Sequence, residues 1–181
     1  VNITSNNAAT VAQADLIFGA SNSGTTNAAI TDSAVNLVVA GNAKLNKTGV
    51  GVVTAINDAT VVQANVLSSY TKDVVYSISD TGSNLVAIAG LGLNEAVNIT
   101  AITPVTIPQR DAIEAASNSG SNTYNIIDTA VNLAAAGNAK LSTAGTVTAI
   151  TPATAAQATV LAEFNKAIDY ELVDTVINVA G

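Results

Sequence analysis

Four aspartates recur along this chain at spacings that could align carboxylates: Asp32, Asp80, Asp128 and Asp174, separated by 48, 48 and 46 residues. Carboxylates in register are the side chains that hold calcium, which takes oxygens at about 2.3–2.6 Å. If each Asp closes every second strand of a parallel sheet, neighbours lie about 9.6 Å apart, twice the strand spacing. That is too far to share one ion, so the four are calcium candidates only with help from backbone carbonyls. The reading adopted is structural: each Asp stabilises a strand-to-helix turn, where negative charge favours the helix N-terminus. Other chemistry is scarce. The chain has no Cys and no His, which removes thiol catalysis and thiolate metal sites and the commonest general base and transition-metal ligand. Glu114 and Glu163 read as separate exposed helix charges, not as an acid–base pair. P-loop, Gly-x-Ser-x-Gly, His-Glu-x-x-His and calcium-binding nonapeptide motifs are absent from the sequence. The expectation is a protein that is not an enzyme and carries no cofactor, with calcium the one ion to test.

The elements that must position these aspartates announce themselves through a second pattern. A Ser or Thr followed three residues later by Gln or Asn occurs at Thr10/Gln13, Ser33/Asn36, Thr60/Gln63, Thr81/Asn84, Thr106/Gln109, Thr129/Asn132, Thr154/Gln157 and Thr175/Asn178. With Gln this is a capping box: the hydroxyl accepts from the third helical N–H, and the Gln side chain reaches back to the cap's own N–H. Asn is expected to do the same over a shorter reach. Successive hydroxyls fall about 24 residues apart, and units alternate in kind, so the true period is a pair of about 48. Periods of this size signal a solenoid.

The first kind of unit reads strand, short turn, helix. Val147-Thr148-Ala149-Ile150 leads through Thr151-Pro152-Ala153 to the Thr154 cap, with counterparts at 99–105 and 52–59. Pro108 falls within a first helical turn, where its missing N–H costs nothing. The second kind is tighter: Tyr124-Asn125-Ile126-Ile127 is the expected strand, and Asp128-Thr129 passes straight into a helix. Its equivalents are 28–31, 76–79 and 170–173. The hexapeptide Ala-Gly-Asn-Ala-Lys-Leu interrupts that helix identically at 40–45 and 136–141. Gly41 and Gly137 stand where a helix would end, which makes the Ala-Lys-Leu segment a separate turn.

Such units bury themselves economically if successive strands lie parallel and each returns through a helix on the same side, with right-handed crossovers. The predicted fold is an α/β solenoid: one parallel β-sheet wall and one wall of short helices, about 24 residues per coil in 48-residue pairs. A doubly wound open sheet competes, but it needs helices on both faces. The 181 residues form a single block, with pair repeats at about 1–49, 50–96, 97–145 and an incomplete 146–181. Neither end carries a polar capping module, which an isolated solenoid needs, so the block is expected to come from a longer array.

Composition agrees. Hydrophobic residues make up 49% but aromatics only 3%, so the core is Ala, Val, Ile and Leu. Charged residues are 10% and the net charge is −7, which disfavours nucleic-acid phosphates as partners. The longest apolar run, Leu85 to Leu93, is too short to span a bilayer. Further rows invite a functional reading. Tyr76, Tyr124 and Tyr170 recur at one position and suit either packing or a strip for sugar stacking. Thr4, Thr54, Thr100 and Thr148 align, with Thr103 and Thr151 as a second row; Thr is favoured in strands, but regular Thr rows also suit ice or crystalline polysaccharide. The Asn column (36, 84, 132, 178) and the Gln column are read as caps.

Tyr-Ser-Ile-Ser-Asp-Thr (76–81), Tyr-Asn-Ile-Ile-Asp-Thr-Ala (124–130) and Val-Thr-Ala-Ile-Thr-Pro-Ala-Thr-Ala-Ala-Gln-Ala (147–158) resemble repeats of very large secreted surface proteins of cyanobacteria and proteobacteria, among them adhesins and surface-layer-like giants. The resemblance implies an extended extracellular or cell-surface scaffold. The expected function is a structural and interaction repeat segment: a spacer, filament element or adhesin stalk. The alternative is a binding module that uses an exposed sheet face for glycan or ice. Expected partners are adjacent copies of the repeat, in cis or head to tail, and cell-surface polysaccharide.

Overall fold

The structure, a computed structural model, describes residues 1–87 and 90–175. Among them the chain alternates short strands with short helices. The first pair of coils holds β1 (Ile3–Thr4), α1 (Val11–Gly19), β2 (Thr26–Asp32) and α2 (Ala34–Leu45), and the second holds β3 (Val50–Ala55), α3 (Val61–Ser68), β4 (Val74–Val75), β5 (Ile78–Asp80), α4 (Gly82–Ala87) and α5 (Leu91–Asn94). The third has β6 (Ile99–Ala101), α6 (Ile107–Glu114), β7 (Asn122–Thr123), β8 (Ile126–Asp128), α7 (Ala130–Ala136) and α8 (Asn138–Leu141). The last described elements are β9 (Val147–Ala149), α9 (Ala155–Ala162) and β10 (Ile168–Asp169).

The class is α/β, and the sheets are parallel throughout, with strands in chain order: β1–β2–β3–β4, β5–β6–β7 and β8–β9–β10. Three small sheets stand where the sequence predicts one wall. The cause lies in two coils of the second kind, whose extended segment is cut in two around Tyr76 and Tyr124, whereas β2 runs unbroken. The earlier piece pairs with the preceding coil, as Val74 does with Val53. The later piece pairs with the following coil, as Ile126 does with Val147. Between the pieces the Tyr76 and Tyr124 carbonyls accept from the Val97 and Gly145 N–H groups, each at 2.8 Å, so the ladder passes there to a turn. The strands expected at 76–79 and 124–127 therefore start two residues later, and 170–173 keeps only the bridge of Leu172 to Ala153.

Two compact units divide the chain: Val1–Asp80 with Ile88–Ile99 and Ala116–Ser121, and Thr81–Ala87 with Thr100–Ala115 and Asn122–Gly181. In the first, Ile30, Leu37, Val53, Leu67 and Ile78 are at most 3% exposed. In the second, Ile113, Ile126, Leu133, Val147 and Leu161 fill the same role, again at 2% or less. Burial of such side chains contributes about 1.5–3 kcal/mol each.

The recurrent hexapeptide acts as a clip between coils. Gly41 (φ 73°, ψ 165°) breaks α2, and Gly137 (φ 78°, ψ 160°) separates α7 from α8, a backbone region open essentially to Gly alone. Beyond each glycine, Asn42 and Asn138 accept from the Thr71 and Asn165 N–H groups of the next coil, both at 2.9 Å. Lys44 reaches back to Asp15, and Lys140 to Asp111, while Leu45 and Leu141 are fully buried. Gly137→Ala is expected to destabilise the protein by about 2 kcal/mol, because the added Cβ is strained in that conformation; the shift of the urea midpoint measures it.

Candidate functional site

Helices of the first kind start as the sequence predicts at the level of single bonds. Thr10, Thr60, Thr106 and Thr154 have extended φ/ψ, and each hydroxyl accepts from the N–H of Gln13, Gln63, Gln109 or Gln157 at 3.3–3.5 Å. The Gln side chains return to the cap N–H at 2.9 Å in all four.

Helices of the second kind close differently. Ser33, Thr81 and Thr129 still accept from the N–H of Asn36, Asn84 and Asn132, each at 3.2 Å. The cap N–H of Ser33 and of Thr129, however, goes to Oδ1 of the preceding Asp32 or Asp128 at 2.8 Å. Asn36 and Asn132 donate from Nδ2 to that same oxygen at 2.7 Å. Asn is one methylene too short to reach the cap N–H, so it braces the carboxylate that does. Asp174 takes the Thr175 N–H at 2.7 Å; Asn178 lies outside the described residues.

The second carboxylate oxygen reaches the preceding coil. Oδ2 of Asp32, Asp80, Asp128 and Asp174 accepts from the first helical N–H of α1, α3, α6 and α9: Val11 at 2.9 Å, Val61 at 3.1 Å, Ile107 at 2.8 Å and Ala155 at 2.8 Å. In Asp32 and Asp128 one side chain thus joins the N-termini of two successive helices. At the intervening junctions a neutral acceptor does the matching job. Ala34 donates to Asn57 Oδ1, Gly82 to Thr103 Oγ1 and Ala130 to Thr151 Oγ1, each at 3.0 Å. The row formed by Thr103 and Thr151 is therefore occupied with capping the helix before it. A Thr or Asn three residues ahead of each first-kind cap was the available signal for this.

Asp32, Asp80 and Asp128 are 9%, 8% and 5% exposed. Burial raises the Asp128 carboxyl, but bonds from the Ile107 N–H, the Asn132 amide and the Thr129 N–H outweigh it and hold the group below its ordinary value of 3.8. Burial acts likewise on Asp32 and is overcome by Asn36, Val11 and Ser33. The two helix N-termini supply partial positive charge from the same side. What surrounds these carboxylates is N–H donors, whereas a calcium ion needs converging oxygens. Among the described residues no three His, Cys, Asp or Glu side chains gather.

The remaining rows have ordinary surroundings. Tyr76 and Tyr124 are each 2% exposed and lie inside, not on an open strip. The Tyr76 hydroxyl donates to the Gly92 carbonyl at 2.9 Å, and its pKa is pushed up to about 12, chiefly by burial. The Tyr124 hydroxyl donates to Glu114 at 2.8 Å and meets the Thr143 hydroxyl at 2.7 Å. Tyr170 is half-buried. Thr54 sits beside Thr31 and Val75, and Thr148 beside Ile127 and Asp169, so the expected Thr column is interrupted at neighbouring strands. Thr4 faces Asn27. Exposed apolar residues also recur: Ile56, Ile102 and Ile150, 70%, 63% and 61% exposed, follow the strands of the first kind. Arg110 occupies the position held by Ala14 and Ala64 in sister helices and turns its guanidinium to Asp111 at 3.0 Å, an exchange the repeat gave no reason to expect.

No protein-family model, curated protein or solved structure matches this chain.

Removing Asp32 or Asp128 orphans amides on two helices. Asp128→Ala is expected to cost about 3 kcal/mol, from a lost cap and unsatisfied N–H groups, and Asp128→Asn less; denaturant unfolding reads both. The pH dependence follows from the lowered carboxyl values. Stabilisation is complete above the unfolded value of about 3.9 and is lost as pH falls through the lower folded value. Asp128→Asn should flatten that acid-side loss relative to the parent chain.

Proposed function

We propose that this chain is a structural and interaction repeat segment: a spacer or scaffold of an extracellular bacterial surface protein or filament. In this reading each unit is a run of α/β solenoid coils, and its partners are adjacent copies of the same repeat, in cis or head to tail. One observation carries the proposal. The carboxylates, the residues with most capacity for chemistry, are held between successive helix N-termini, where they join coils. Support also comes from strands that pair parallel in chain order within each unit and from the coil-to-coil clip at Lys44 and Lys140. Enzymatic activity and a resident cofactor form no part of the proposal. No helix among the described residues is long and apolar enough to cross a membrane.

A second reading is favoured by the recurrent exposed Ile56, Ile102 and Ile150, each two residues after a half-exposed Thr at 54, 100 or 148. Repeated apolar and hydroxyl groups suit a flat partner such as cell-surface polysaccharide or ice.

Small-angle scattering on one, two and three tandem copies separates the possibilities. A scaffold is expected to lengthen in proportion to copy number at constant cross-section, to be silent on glycan arrays and in ice-recrystallisation assays, and to keep its melting temperature in excess chelator. Tandem copies that stay compact would overturn the scaffold reading, and binding lost on Ile102→Ser would favour the second.

A further inference from the structure

We propose that one copy of this chain docks on a second by strand addition, residues 172–174 of one pairing in parallel with residues 3–5 of the other. The register is already present twice within the chain. Ile30, Thr31 and Asp32 lie beside Val53, Thr54 and Ala55, and Ile126, Ile127 and Asp128 lie beside Val147, Thr148 and Ala149. Leu172, Val173 and Asp174 are the repeat counterparts of the first three in each set, and Ile3, Thr4 and Ser5 of the second three. Both stretches have only half of the pairing. Residues 172–174 bond backward as their sisters do: the Ala153 N–H donates to the Glu171 carbonyl at 2.7 Å, and the Val173 N–H to the Ala153 carbonyl at 3.0 Å. On the forward side the Ile78 and Ile126 N–H groups donate to the Asn98 and Thr146 carbonyls at 2.8 Å, whereas no acceptor among the described residues meets the Leu172 N–H. Leu172 is accordingly 44% exposed, against 3% or less for Ile30, Ile78 and Ile126. The edge strand β1 is the mirror case. Its Ile3 and Ser5 N–H groups donate to Thr25 and Asn27 of the following coil, and Ile3 is half-buried where Val53, Ile99 and Val147 are buried. Edges with unpaired N–H and C=O groups are templates for a further strand.

The repeat also selects the occupant. In that register the Leu172 N–H donates to the Asn2 carbonyl of the other copy, as Ile78 and Ile126 do to Asn98 and Thr146. The Asp174 carbonyl accepts from the Asn6 N–H, as those of Asp32 and Asp128 accept from Ile56 and Ile150 at 2.9 Å. The Leu172 side chain leaves water, as its counterparts have done. Beside β1 a hollow of about 350 Å³, lined by Ser5, Asn7, Ala9, Gln13, Leu16 and Ile17 among others, stands open. In the coil of α6 the matching residues are covered by α4 of the coil before. Gly82 packs so closely on Val105 that a Cβ would lie 2.5 Å from it, its N–H donates to Thr103, and Gln109 reaches Ser83 at 3.5 Å. Thr175 of the second copy, the counterpart of Thr81, arrives at that hollow. An unrelated strand supplies backbone groups alone, so the occupant is a second copy. Each copy carries both edges, which makes the contact heterologous: association continues past two copies or closes into a ring. The inference rests on the scaffold reading and names the edges through which its copies meet head to tail.

Sedimentation velocity of the full chain over a concentration series tests it. Association beyond a dimer, or a closed ring, is expected. L172E places an unpaired charge in the contact. T4P removes the N–H that faces the incoming strand and leaves the Ile3 and Ser5 bonds to the following coil in place, as Pro on an edge strand can. Each should raise the dissociation constant at least about tenfold, with circular dichroism unchanged, and V39E on α2 should not. The two variants complement each other. An L172E chain keeps its β1 edge and a T4P chain its 172–174 edge, so an equimolar mixture should form a one-to-one complex and nothing larger. A parent chain that stays monomeric, association that survives both variants or is lost in V39E, or a mixture that forms no such complex would overturn the proposal. Covalent tandem copies that lengthen while separate chains stay monomeric would sink the docking and leave the scaffold reading standing.

Discussion

The first four N–H groups of any helix have no partner within it. In helices of eight or nine residues, such as α1, α3, α6 and α9, that is about half of all the amides. A fold made of such helices needs acceptors at every N-terminus, and it needs them within the buried layer where water does not serve. One carboxylate placed between two successive helices answers for both. Oδ1 takes the cap amide of its own helix, and Oδ2 takes the first amide of the helix before it. The 48-residue period follows from this economy. An Asp that serves two coils is required only once per pair, and at the other junction a neutral Asn57, Thr103 or Thr151 is sufficient.

Much of the frame could be read from the residues, because local rules generate it. Thr-x-x-Gln marks a helix start whatever lies beyond it, and the four Gln boxes are formed bond for bond. Gly41 and Gly137 were legible for a similar reason, since positive φ is a backbone property. What escaped was anything that depends on the neighbouring coil. Asn132 reads as a shorter Gln until the position of Asp128 shows where its amide goes. Thr151 reads as a strand or turn residue until Ala130, 21 residues earlier, is seen to donate to it. The single expected sheet failed for a like reason: Tyr76 and Tyr124 have good strand propensity, but their carbonyls serve the following turn. Arg110 stands at a position that periodicity assigns to Ala, and only its tertiary neighbours explain its charge.

Beside an apolar core, a few polar groups consequently turn inward: Asp32, Asp80 and Asp128 are buried and accept from backbone N–H groups. Outward positions mix polar residues such as Asn2, Gln13 and Lys47 with apolar ones such as Val39, Val62 and Ile150. A carboxylate placed inward contributes cohesion between coils. That placement links the packing of the coils to the scaffold role proposed for them.

The claim that one carboxylate holds two helices is most directly tested by nuclear magnetic resonance, following the backbone amides of Ile107 and Thr129 through an acid titration. The account predicts that both amide proton shifts move together with the Asp128 carboxyl, at one shared midpoint below 3.8. An Ile107 amide that is silent, or that titrates apart from Thr129, would contradict it.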